Sequence, residues 1–258
     1  MVISQPTVYS QVRESYKIIL AIIGIAITIQ LSSKIPIEFF ESTVVASTAI
    51  VFLPLAVAIS SFVISKIYGG SKVFGKSYFI LGVSYFAFFA GEAFFYFYMD
   101  MQNDYSYSFI SEIAFMISMS LLLTHIIINI RYFAEKLEQY QKVLLVIIPT
   151  VIFAGYLLIL GTNSSFNLEE HLFNLILVIQ SVITLGFTIV AFTVFRQTAL
   201  FAPWFLLLIG FFLSTAGDIL YHYTDIISKY DTTDPTTGLW LASSMVIIYA
   251  LYKHQKSI

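Results

Sequence analysis

The sequence predicts an all-α fold: a polytopic membrane helix bundle of eight transmembrane helices, built as two tandem four-helix repeats with both termini cytoplasmic. Three observations predict it. First, 59% of the 258 residues are hydrophobic and only 11% charged, with a mean hydropathy of +0.87, whereas ordinary soluble domains carry about 25% charged residues. Second, apolar runs long enough to cross a bilayer recur along the whole chain. Third, landmarks in the first half return in the second at a nearly constant offset. The expected organisation is a single integral membrane domain over 1–258, with repeats over about 12–131 and 142–256.

Crossing about 30 Å of hydrocarbon takes roughly 20 helical residues. The runs that meet or approach this length are 16–31, 43–67, 77–99, 109–130, 142–160, 172–195, 202–223 and 239–252. The first follows fifteen polar residues and reads as a span rather than a cleavable signal peptide. The second and fifth contain Pro54 and Pro149, which can kink them. The third is rich in Phe and Tyr around positions 88–98, read as lipid-facing bulk and interfacial anchoring. The fourth carries His125 near its end, read as an interhelical hydrogen bonder. The sixth holds Asn174 and Gln180, read as packing contacts, and the eighth is followed by His254, read as a solvated tail residue. No run alternates at the strand period, and in lipid each segment must satisfy its own backbone, so all eight are helices.

Orientation follows from Lys and Arg. With the N-terminus inside, the cytoplasmic side holds Arg13, Lys17, Lys66, Lys72, Lys76, Arg131, Lys136, Lys142, Arg196, Lys253 and Lys256, against Lys34 and Lys229 outside. That bias places both termini in the cytoplasm of a multi-pass protein of the cell membrane. The outer loops are acidic. The linker between halves, 132–141, is short, polar and cytoplasmic.

The repeat rests on four pairs. The run from Lys17 (KIILAII) matches that from Lys142 (KVLLVII) at an offset of 125. Gly91-Glu92 matches Gly217-Asp218 at 126, Asp100 matches Asp225 at 125, and Ser120 matches Ser244 at 124. An even number of spans per half gives both halves one orientation, so the pseudo-axis runs along the membrane normal.

The acids locate the site. Asp218 follows an unbroken apolar run within 202–225, and an ionisable group inside a span marks a functional site by default. The repeat supplies Glu92 as its partner, each about two turns, or roughly 10 Å, below the outer surface. His222 and Asp225 share a helix face with Asp218; Tyr96 and Asp100 share one with Glu92; Glu112 flanks from the fourth helix. Glu92 and Asp218 are therefore the candidate catalytic pair, and His222, Asp225, Asp100, Tyr96 and Glu112 candidate ligand-binding residues. Two carboxylates in low dielectric resist ionising together, so the pair can share a proton and serve as acid and base for hydrolysis by water. The same acids with His222 or His171 can hold a divalent metal. Alternatively they hydrogen-bond Ser214, Thr215 or tyrosine hydroxyls and lock the helices together.

Several functions are excluded. A net charge of -2 with no basic cluster gives no nucleic-acid footprint. Cysteine is absent, which removes thiolate chemistry. No lysine lies inside a span, as a retinal Schiff base requires, and phosphate-loop, paired-histidine haem and metalloprotease motifs are missing. A complete membrane kinase or cyclase is not expected.

The segments GVSYFAFFAGE at 82–92, FMISMSLLLTH at 115–125, GFFLSTAGD at 210–218 and LASSMVIIY at 241–249 resemble the lysoplasmalogenase-like YhhN family of eight-helix membrane proteins, with Glu92 where the family has Asp. The resemblance implies hydrolysis of the vinyl-ether bond of a lysolipid by Glu92 and Asp218. Gly-Asp-Ile-Leu-Tyr at 217–221 also resembles the membrane-sensor regions that precede signalling domains. Two readings follow: a lipid-directed hydrolase, and a non-enzymatic sensor or carrier that binds a small ligand or cation at the same acids. Membrane lipids are the expected partners in either case. The sequence leaves the cofactor, the metal and the oligomeric state open.

Overall fold

The computed structural model describes the backbone of residues 8–32, 44–102, 109–161, 172–228, 230–231 and 233–257, and their side chains apart from 8–15, 97–102, 225–228 and 257. Eight helices run in order: α1 Val8–Ser32, α2 Val44–Ile67, α3 Phe74–Gln102, α4 Phe109–Phe133, α5 Gln139–Gly161, α6 Leu172–Phe195, α7 Phe201–Ser228 and α8 Pro235–Ser257. No strand occurs among the described residues. Seven of the helices, α2 to α8, are long and apolar enough to cross a membrane; in α1 the apolar stretch Tyr16–Ser32 is shorter. The all-α class and the membrane-spanning character therefore stand.

Local sequence sets the helix ends. Ser71 precedes α3, and its Oγ accepts from the backbone N–H of Val73 and of Phe74 at 3.3 and 3.1 Å, satisfying donors that a helix start leaves unpaired. At the head of α5, Gln141 Oε1 accepts from the Glu138 N–H at 2.9 Å, a reciprocal cap of the same kind. Asp234 precedes Pro235, and proline at the first helical position loses no needed donor. The turn before α8 is further fixed by Asp231 and Asp234, which accept from the N–H groups of Thr233 and Asp231. Gln30 ties α1 to this turn by donating to the Asp234 carbonyl at 2.7 Å.

Helix packing has a simple plan. Six helix pairs make the frame: α3 with α4 and α7 with α8, the most extensive, then α2 with α3, α6 with α7, α4 with α6, and, after the α5–α6 pair, α2 with α8. These six contacts close a ring in the order α2, α3, α4, α6, α7, α8, in which α3 and α7 stand opposite each other. Helix α1 leans on α8 and α5 on α6, outside the ring. Lipid explains the outer surface: Leu158 is 74% exposed and Val146 65%, which is tolerable only in an apolar solvent.

The ring is filled unevenly. Where α3 begins and α4 ends, an apolar plug packs Tyr78, Leu81, Ile126, Phe195, Trp204 and Leu251 together. Trp204 stacks on Phe195 with centroids 4.6 Å apart and planes 6° from parallel. Beside the plug a polar knot joins α3 to α4. Ser77 Oγ bonds His125 Nδ1 at 2.7 Å, His125 Nδ1 lies 2.9 Å from the Ser77 carbonyl, and Asn129 Nδ2 donates to Ser77 Oγ and to the His125 carbonyl. His125 thus bonds between helices as expected. His254 does not fit its expected place in solvent: it is 1% exposed. Its ring lies 4.7 Å from Tyr78 and 5.3 Å from Phe74. The cause is that α8 continues to Ser257, beyond the expected end at 252, which lays its last turns against the start of α3.

Candidate active site

Each acid is preceded by a glycine, and the structure shows what that glycine does. A Cβ on Gly91 would lie 2.6 Å from Phe115 Cε1, and one on Gly217 would lie 2.7 Å from both Cδ1 and Nε1 of Trp240. Real Cβ atoms do not come that close. The missing side chains let an aromatic ring of the following helix sit directly on the α3 or α7 backbone beside the acid, the close approach for which small residues serve in membrane bundles.

Glu92 and Asp218 are both buried, at 6% and 7% exposure. Helices α3 and α7 each continue ten residues past their acid, to Gln102 and Ser228. That is about 15 Å of helix beyond each acid at 1.5 Å per residue. The two acids differ in their partners. Asp218 is clamped: Ser181 Oγ donates to Oδ2, and Trp240 Nε1 donates to Oδ1 at 3.0 Å. The Ser181 carbonyl in turn accepts from Thr215 Oγ1 at 3.4 Å. Glu92 makes no hydrogen bond or ion pair with any described residue, and neither acid is paired with Lys or Arg.

Both acids line one cavity between α3, α4, α6, α7 and α8. The space open to the centre of a water molecule is about 60 Å³, several times the roughly 10–15 Å³ that one water needs. From α3 the wall includes Phe88, Phe95 and Tyr96; from α4, Ser111, Phe115 and Met119. Across from them stand Ser181 of α6, Tyr221 and His222 of α7, and Trp240 of α8. Tyr230, in the turn between α7 and α8, covers one side and bonds Thr237 Oγ1 at 2.8 Å. Burial holds the Tyr230 phenol above its usual range, so it stays neutral and keeps its hydroxyl proton. The aromatic rings are inclined to one another. Tyr221, Tyr230 and Trp240 have centroids 5.0, 5.4 and 5.9 Å apart at interplanar angles of 68°, 45° and 54°, and Phe88 meets Phe115 at 5.2 Å and 51°.

Of the expected site residues, Glu92, Asp218, Tyr96 and His222 come together around this cavity. Glu112 is buried at 7% exposure, but the cavity wall is formed by its neighbour Ser111. The side chains of Asp100 and Asp225, and His171, lie outside the described residues. Two expectations need correction. Asp218 takes its hydrogen bonds from Ser181 and Trp240 rather than from Ser214, Thr215 or a tyrosine, because Thr215 points its hydroxyl at the α6 backbone. The aromatic stretch in α3 is not all lipid-facing: Phe86 and Phe94 are exposed, while Phe88, Phe95 and Tyr96 line the cavity. Sequence reading missed Ser181, Phe115, Tyr230 and Trp240. The usable signal was Gly before each acid, which marks a backbone that something bulky approaches.

Among the described residues no three His, Asp or Glu side chains converge as metal ligands would. No family model matches the chain, and neither does any curated protein or solved structure.

Proposed function

We propose that this protein is a lipid-directed hydrolase that cleaves a vinyl-ether bond of a lysolipid with water, using Glu92 as general acid and Asp218 as the carboxylate that positions water. The observation that carries the reading is the unequal pair of buried acids in one cavity: Asp218 held by two donors, Glu92 held by none. A carboxylate accepting two hydrogen bonds is favoured in its charged form, and a neighbour without partners is suited to hold the shared proton. In the reaction Glu92 donates its proton to the alkene carbon remote from oxygen, which leaves an oxocarbenium ion. Asp218 accepts a proton from the water that adds to this cation. The resulting hemiacetal collapses to an aldehyde and the lysolipid's alcohol, with the hydroxyl proton returning to the leaving oxygen. Aromatic faces and an uncompensated carboxylate stabilise the passing positive charge.

The resemblance to the lysoplasmalogenase-like YhhN family at 82–92 and 210–218 supports the same assignment. Tandem halves belong to this reading. The six ring contacts exchange in pairs when α2, α3 and α4 are mapped on α6, α7 and α8, and Gly91 with Phe115 maps on Gly217 with Trp240 at offsets of 126 and 125. The lysine and arginine distribution supports cytoplasmic termini, with the cavity in the outer half of the cell membrane. Purified protein incubated with mixed lysolipids should release a long-chain aldehyde, at a rate lowered at least a hundredfold in Glu92→Gln and in Asp218→Asn. Intact lipids after incubation with the wild-type protein would sink the hydrolase.

A further inference from the structure

We propose that the cavity is a recognition site for an organic ammonium ion, with aromatic rings and the two carboxylates reading the cation together. The inference rests on this cavity being the functional site and does not need hydrolysis. Glu92 is 6% exposed, lines the cavity and has no partner among the described residues, while Asp218 carries a second acid group facing no Lys or Arg. A buried acid pair that holds even one negative charge without a countercharge is an expensive arrangement that a bound cation relieves.

The walls say which kind of cation. An inorganic ion such as calcium takes six to eight oxygen ligands. Among the described residues no three His, Asp or Glu side chains converge to supply such a set, and rings make up much of the wall. Tyr221, Tyr230 and Trp240 instead form a three-sided corner of mutually inclined planes, their centroids within 5.9 Å of one another. Such a corner suits a trimethylammonium or primary alkylammonium group, whose charge is spread over apolar surface and is attracted by ring faces. The available space, about 60 Å³ for water centres, suits one small organic group. The ammonium can belong to a free amine or to a lipid headgroup, and the chemistry is the same.

The test uses the full chain in a maltoside detergent, with Trp204→Phe so that Trp240 is the sole tryptophan reporter. Choline and its uncharged isostere 3,3-dimethylbutan-1-ol are titrated, followed by lysophosphatidylcholine and lysophosphatidylglycerol. Choline should quench or shift Trp240 emission and the isostere should not, with Glu92→Gln weakening the response at least tenfold. Tyr221→Phe should retain binding and Tyr221→Leu should lose it, which separates ring recognition from folding damage. Response to choline assigns a free amine; response to lysophosphatidylcholine alone assigns a headgroup; both outcomes support the site. Equal response to choline and the isostere, or no response to any of the four, overturns it. Cation binding without lipid turnover leaves this inference standing and removes the hydrolase, and turnover without any cation response does the reverse.

Discussion

Gly217→Ala is the most informative single change, because it adds one methyl group where the structure has no room for it. The new Cβ would sit 2.7 Å from Cδ1 and Nε1 of Trp240, and ordinary contact needs about 3.4 Å, so the indole must retreat by roughly 0.7 Å. Trp240 Nε1 donates to Asp218 Oδ1 at 3.0 Å, and Asp218 is the next residue on the same helix, so the retreat takes the donor out of reach. A hydrogen bond to a charged group contributes about 1.5–3 kcal/mol. Overpacking costs about 1–3 kcal/mol more, and alanine's better helix propensity returns about 1 kcal/mol. The net loss is about 1.5–5 kcal/mol, with packing and hydrogen bonding outweighing propensity.

Gly155→Ala in α5 is the matched control, since nothing lies within 4 Å of its added Cβ; there only the gain of up to about 1 kcal/mol remains. Thermal unfolding in detergent reads both variants. In the Trp204→Phe background, emission of Trp240 should shift in Gly217→Ala and stay unchanged in Gly155→Ala. Lipid turnover should fall at least tenfold in the first and hold in the second. A Gly217→Ala protein as stable as the wild type, with unshifted emission, would refute the claim that the glycine seats the indole on the acid.

Ser77→Ala should lower stability by about 1–2 kcal/mol, because it removes an oxygen that bonds both His125 and Asn129 in the buried knot. The value lies between the cost of an unsatisfied buried group and the smaller figures measured inside membranes; an unchanged melting temperature would show the knot is idle. Gly186→Ala should also destabilise, by up to about 2 kcal/mol, since its Cβ would lie 2.9 Å from the ring of Pro149 and a proline ring yields little. A rise in melting temperature would mean that α5 simply moves away from α6.

The spans were legible because composition and run length respond to the solvent that surrounds a helix, and lipid leaves a strong mark. The acids were legible for the same reason: Asp218 and Glu92 each stand out against apolar neighbours. What the sequence did not expose was everything that acts across helices. Ser181 looks like one small polar residue in an apolar run, and only the packing of α6 on α7 turns its hydroxyl to Asp218. Trp240 lies 22 residues from the acid it holds. His254 looked solvated because the apolar run ends at 252, whereas burial there depends on how far α8 reaches along α3.

The two acids differ in the groups set against them. Phe115 and Trp240 occupy equivalent seats, each against the glycine that precedes an acid. A phenyl ring has no donor, so Glu92 gains apolar contact from its neighbour and nothing polar. An indole has one donor, so Asp218 gains a hydrogen bond at 3.0 Å. Ser181 of α6 adds a second donor to Asp218, so the inequality has two sources. For the proposed reaction, two donors suit Asp218 to position water, and Glu92, which has neither, to deliver the proton. The asymmetry that such a reaction requires then resides in the partners of the acids rather than in the acids themselves.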